Sequence, residues 1–173
     1  MKSRWRVAAC AVAIVATLGL APAIADRPRD FLRNAIKGDN SEIMLGKLGE
    51  HCAATPAVRS FSQTLVDDHT QARSAAVRLA TRLRMRVPRG PQWDALEERR
   101  RLSGLTGWSF DAELVRYMVQ DHQKDIAKFR QEASAGHGQT SALAERQLPT
   151  LRKHLDMALR LDGRFTRYTQ RQP

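Results

Sequence analysis

The chain is 173 residues long with a formal net charge of +11, the size of one domain and strongly basic. Its two cysteines exclude a disulfide-stapled scaffold. No Ser-His-Asp arrangement, phosphate loop or dinucleotide fingerprint appears, so nothing points to nucleotide-dependent or serine-hydrolase chemistry.

The N-terminus reads as an export signal. Lys2, Arg4 and Arg6 precede an uncharged apolar stretch from Val7 to Leu20, and Ala23-Ile24-Ala25 supplies the small residues of a cleavage site. Cleavage after Ala25 makes the protein periplasmic or secreted. The stretch is short for a membrane span and runs into Pro22. Most of the apolar stretch follows Cys10 instead of preceding it, which argues against lipidation there. The remaining domain, from Asp26, keeps only Cys52, so packing and not a disulfide must stabilise it.

Four long helical segments follow, with few strand signals. The first spans about 29–52 and closes at Ala54-Thr55-Pro56, where proline forbids smooth continuation. The second spans about 57–86 and stops before Pro88-Arg89-Gly90-Pro91. A connector carries a short helix, 93–102. The third long helix spans about 110–135 with Ser109 as N-cap, and Ala135-Gly136-His137-Gly138 breaks it. The fourth spans about 141–166, with Pro149 kinking or restarting it. Two short links and one long connector predict an all-α fold, an antiparallel four-helix bundle with one crossover.

Residues three and four apart share a helix face, so each seam can be read from spacing. The first helix aligns Phe31, Ala35, Gly38, Glu42, Leu45 and Gly49. The second aligns Phe61, Leu65, Asp68, Ala72, Ala76, Leu79 and Leu83, with His69 on the flank. The third aligns Val115, Val119, His122, Ile126, Phe129 and Ala133, with Asp121 beside it. The fourth aligns Leu151, His154, Ala158, Leu161 and Phe165. On this phasing Asp68 fits its seam better than His69, whereas His122 and His154 fit theirs.

A phrase recurs on two helices, Leu65-Val66-Asp67-Asp68-His69 and Met118-Val119-Gln120-Asp121-His122. Glu42, Asp68, His69, Asp121, His122 and His154 all lie near the middle of their helices. Mid-points of antiparallel helices meet, and an offset of about three residues is only about 4–5 Å. These groups therefore converge on one layer. Imidazole and carboxylate suit zinc, copper, iron or manganese, and bundle cores commonly hold such sites. The alternative is a purely structural layer in which Asp68 and Asp121 accept hydrogen bonds from His69, His122, His154 or arginine.

Other candidates stand apart. Asp39, one turn from Glu42, is either a further carboxylate or a solvated charge. His51-Cys52 offers a soft-metal pair, or else the cysteine is a small buried hydrophobe. His137 reads as an exposed loop residue. The basic excess is mostly arginine: Arg82, Arg84, Arg86 and Arg89, then Arg99 to Arg101, then Arg160, Arg164, Arg167 and Arg171. For an exported protein this favours anionic envelope components over nucleic acid, with solvated helix faces as the plain alternative.

Several of these stretches together resemble a known bacterial family. They are Asn40 to Leu48, Val66-Asp67-Asp68-His69, Phe110-Asp111, Met118 to His122, and Leu148 to Leu155. The chain is similar to exported domain-of-unknown-function proteins labelled "predicted outer membrane protein", to which a ferritin-like fold is assigned. The resemblance implies a ferritin-like bundle outside the cytoplasm and implies no activity. The sequence lacks the Glu-x-x-His pairs of di-iron ferritins and the short alternating strands of a barrel.

The leading expectation is an exported ferritin-like protein, not assigned as an enzyme, binding zinc, copper or iron through its central layer, with an envelope-stress role. The alternative is a non-catalytic envelope-interaction protein whose layer is structural.

Overall fold

The computed structural model describes residues 21–169, with side chains described for 27–167. The predicted export segment through Leu20 lies outside the described residues, as do Cys10 and Arg171. The expected cleavage point after Ala25 falls in the first turns of the first helix, where side chains are not described. Five helices and no strands are present among the described residues: α1 (Ala21–Cys52), α2 (Pro56–Arg82), α3 (Trp93–Leu102), α4 (Gly107–Ser134) and α5 (Gln139–Thr169).

The long helices pack as two hairpins. Along α1 and α2 the paired residues run in opposite senses, from Gly49 beside Ser62 to Asp39 beside His69. Along α4 and α5 they run from Trp108 against Phe165 to His122 against His154. Helix α2 also packs on α5 and α1 on α4, while α3 lies over α1 and α4. Gly46 and Gly49 allow α1 and α2 to approach closely. A Cβ at Gly46 would stand 2.8 Å from Val66 Cγ2, and one at Gly49 would stand 2.9 Å from Ser62 Cβ.

Asp111, fully buried at the start of α4, ties the two hairpins together. Its carboxylate accepts from Ala54 N at 2.8 Å, Thr55 N at 2.9 Å and Thr55 Oγ1 at 2.7 Å. Thr55 in turn caps α2 by accepting from Val58 N. The Phe110-Asp111 pair is therefore a fold-closing device.

Several expected boundaries shift. Helix α2 ends at Arg82, not 86, because Arg84 turns left-handed (φ +52°). Met85 N then bonds Ala80 O at 2.9 Å and Arg84 N bonds Thr81 O at 3.0 Å, the closure typical of a Schellman end. Helix α4 starts a turn early: Phe110 N already bonds Thr106 O, which makes Thr106 the cap position and leaves Ser109 inside the helix. Helix α5 runs through Pro149 without restarting, since Pro149 and Glu145, whose carbonyl loses its donor, are both exposed. Cys52, with His51, is exposed and is no core hydrophobe. His137 is not a free loop residue either; its Nδ1 lies 3.1 Å from the buried Glu132 carboxylate.

Candidate metal centre

Two apolar clusters bracket the middle of the bundle. Leu45, Leu65, Met118 and Ala158 belong to one, and Ala35, Ile126, Phe129 and Leu151 to the other. Between them one residue from each long helix turns inward: Glu42, His69, His122 and His154. All four are buried, and their ligand atoms lie within 4.8 Å of one another. The imidazole centroids form a triangle with sides of 5.9, 5.1 and 5.3 Å.

Each imidazole directs one nitrogen outward to a hydrogen-bond acceptor. His69 Nδ1 donates to Asp39 Oδ1 at 2.9 Å, and His154 Nε2 donates to Asp68 Oδ2 at 2.8 Å. His122 Nδ1 lies 2.9 Å from Met118 O, a carbonyl that can only accept, so this nitrogen carries the hydrogen. The tautomers follow from these partners, leaving His69 Nε2, His122 Nε2 and His154 Nδ1 to face inward. An outer acceptor that fixes each ring and raises its basicity is what metal-binding histidines require.

Glu42 completes the set. It pairs with His69 Nε2 and lies 3.5 Å from His122 Nδ1, yet neither contact has hydrogen-bond geometry. Glu42 Oε1 is thus buried without a hydrogen-bond partner among the described residues, and Glu42 Oε2 and His69 Nε2 have only each other. Leaving one buried polar atom unsatisfied costs about 1–3 kcal/mol, more for a charged group. A cation at this point satisfies all three.

The ionisation states are divided. Burial alone would raise Glu42, but its electrostatic interactions with His122, His69 and His154 outweigh it and hold the carboxyl well below its usual range. Burial alone would lower His69, but Glu42 and Asp39 raise it well above an ordinary histidine. His154 goes the other way, down to about 4, through burial and the charge of neighbouring His69. Asp39 is pushed up to about 6 by burial, against the pull of His69.

A second carboxylate group adjoins the first. Asp121 and Asp125, one turn apart on α4, lie with Glu42 so that their oxygens are within 4.8 Å of one another. Burial, then the charges of Glu42 and Asp125, push Asp121 up to about 9. Asp125 is also raised, chiefly by burial and Glu42, although Lys128 Nζ donates to it at 2.9 Å.

Of the six residues expected in the layer, four converge directly. Asp121 sits one step aside, next to Glu42. Asp68 is placed behind His154, part-exposed and also bonded to Lys153 at 3.2 Å. The seam reading of α2 is thereby reversed, with His69 facing the core and Asp68 on the flank. A step between neighbours is about 100° on a helix, and apolar spacing did not resolve a phase error of that size. Asp125 escaped the sequence reading, though its four-residue spacing from Asp121 on one face was a usable signal. Met118 O carries no sequence signal at all.

A cleft of about 170 Å³ leads to this layer. Buried Asp39, His69 and Asp125 form its floor, Phe129 and Leu151 its walls, and exposed Gln71 and Arg146 its rim. No described helix is long and apolar enough to cross a membrane.

Neither a curated protein nor a solved structure matches the chain. The model of the family described as "Domain of unknown function (DUF4142)" matches residues 15–161, and the chain belongs to that family.

Proposed function

We propose that this protein is an exported, ferritin-like antiparallel four-helix bundle whose function is to bind a divalent transition-metal ion, zinc, copper or iron, through His69, His122, His154 and Glu42. The observation that carries the reading is the division of labour in each imidazole. One nitrogen is spent on Asp39, Met118 O or Asp68, and the other is turned toward Glu42 and its neighbours. Three nitrogens and one carboxylate oxygen suit these ions better than magnesium or calcium, which prefer oxygen. The two antiparallel hairpins joined by the connector that carries α3 support the bundle assignment. The basic and apolar N-terminal segment supports export.

Glu42 belongs to both residue groups, which favours one elaboration: a second ion held by Asp121 and Asp125 and bridged to the first by Glu42. Stoichiometry separates the two forms. One equivalent that survives Asp125→Asn supports a single site, and two equivalents falling to one support the bridged pair.

The test is titration of chelator-treated protein with zinc, copper or ferrous ion while following thermal unfolding. An ion at one hundred times its Kd stabilises the folded state by about 2.7 kcal/mol, provided it does not bind the unfolded chain. A melting temperature unmoved by all three metals contradicts the proposal and leaves the layer a structural network.

A further inference from the structure

The chain leaves α2 at Arg82 and runs without helix to α3. In this run apolar residues alternate with arginine. Leu83, Met85 and Val87 pack on the cluster of Leu32, Ile36, Ala76, Leu79, Ala80 and Leu143, while Arg84, Arg86 and Arg89 are exposed. The strap is therefore anchored by its apolar side chains and cationic where it meets solvent.

Arg29 and Arg33 of α1 and Arg73 of α2 meet these three arginines across a cleft of about 890 Å³. No lysine or carboxylate lines it. Of these six arginines only Arg33 has an ion pair among the described residues, with Asp30. Two of the guanidiniums are fixed in place: Arg29 Nη2 donates to Leu83 O at 3.2 Å and Arg73 Nε to Asn40 Oδ1. Arg84 occupies a left-handed position that glycine takes at no steric cost.

We propose that this cleft is a binding site for a small ligand carrying several phosphate groups. Like charges from three chain segments repel when brought together, and a multivalent anion reverses that repulsion. Every cation lining the cleft is arginine, whose planar fork matches phosphate oxygens in pairs. The concave shape and size are those of small-ligand sites, about 300–1,000 Å³. The site shares no residue with the metal centre, so either proposal can fail alone.

Inorganic tripolyphosphate is the probe, titrated calorimetrically into the full-length protein. The expected result is saturable binding that weakens as salt rises. The double variant Arg86→Gln/Arg89→Gln should lose at least tenfold in affinity with an unchanged melting temperature. Arg160→Gln/Arg164→Gln, on the exposed face of α5, should bind as the parent does. Co-sedimentation with phosphatidylglycerol vesicles distinguishes the phosphate's source. Vesicle binding that tripolyphosphate displaces and the strap variant lacks identifies a lipid headgroup, and its absence identifies a soluble phosphate. Unsaturable binding, or equal loss in both double variants, overturns the proposal and reduces the arginines to a general positive field.

Discussion

His122 Nε2 and His154 Nδ1 face each other at 3.3 Å across the α4–α5 contact. Two nitrogens held about 2.0–2.1 Å from one tetrahedral ion would stand about 3.3 Å apart. With the hydrogens of His122 Nδ1 and His154 Nε2 directed at Met118 O and Asp68, two lone pairs are opposed within the buried layer. That arrangement is unfavourable for a hydrogen bond and favourable for a shared cation.

Asp68 then has a measurable role without touching the ion. Replacing it with alanine frees the outer nitrogen of His154, so zinc affinity should fall about 10–100-fold. Asp68→Asn keeps an acceptor and should lose less. Calorimetric titration of both variants checks this, and parental affinity in Asp68→Ala would remove Asp68 from the account.

Metal uptake should release a proton. In the metal-free protein Glu42 and Asp39 hold His69 charged at neutral pH despite its burial, and an ion must displace that proton from Nε2. Affinity should therefore rise with pH, by about tenfold per unit while one proton is displaced. Titration in buffers of different ionisation enthalpy counts the protons. A count of zero at pH 7 would contradict the assigned state of His69.

Asp121 gives the metal-free protein a pH dependence of opposite sense. Its carboxyl keeps a proton up to about 9 in the fold, whereas in the unfolded chain it ionises near 3.8. Between these values the folded state binds more protons, so this group's contribution to stability falls as pH rises. Asp121→Asn, neutral at every pH, should flatten that fall and raise the melting temperature at pH 8 relative to the parent. Chelator-treated protein scanned from pH 5 to 9 reveals the difference, and parallel curves would count against a protonated Asp121.

Asp111 joins the α1–α2 link to α4 through three hydrogen bonds. Asp111→Ala should cost about 2–3 kcal/mol by leaving Ala54 N, Thr55 N and Thr55 Oγ1 without their acceptor. Chemical denaturation gives the value. A loss under about 0.5 kcal/mol, the range of an ordinary surface substitution, would mean that solvent replaces the carboxylate.

Much of this was legible from spacing. The short helix Trp93–Leu102 lies where its pattern placed it, and Glu42, His122 and His154 sit on their predicted seams. Local signals failed where tertiary contacts decide. Arg84 ends α2 early because the apolar residues after it have a core to pack on, and Pro149 is tolerated because its lost bond faces water. Asp39 was ambiguous by sequence since only contact with His69 explains its burial. The arginine cleft draws on three separated segments, and no window along the chain contains it.

The most direct measurement is the metal content of native protein beside His69→Ala, His122→Ala and His154→Ala, each confirmed folded by circular dichroism. The account predicts at least one equivalent of zinc, copper or iron per parent chain and its loss in all three variants. Metal retained undiminished in all three, or absent from the parent even after reconstitution, would contradict it.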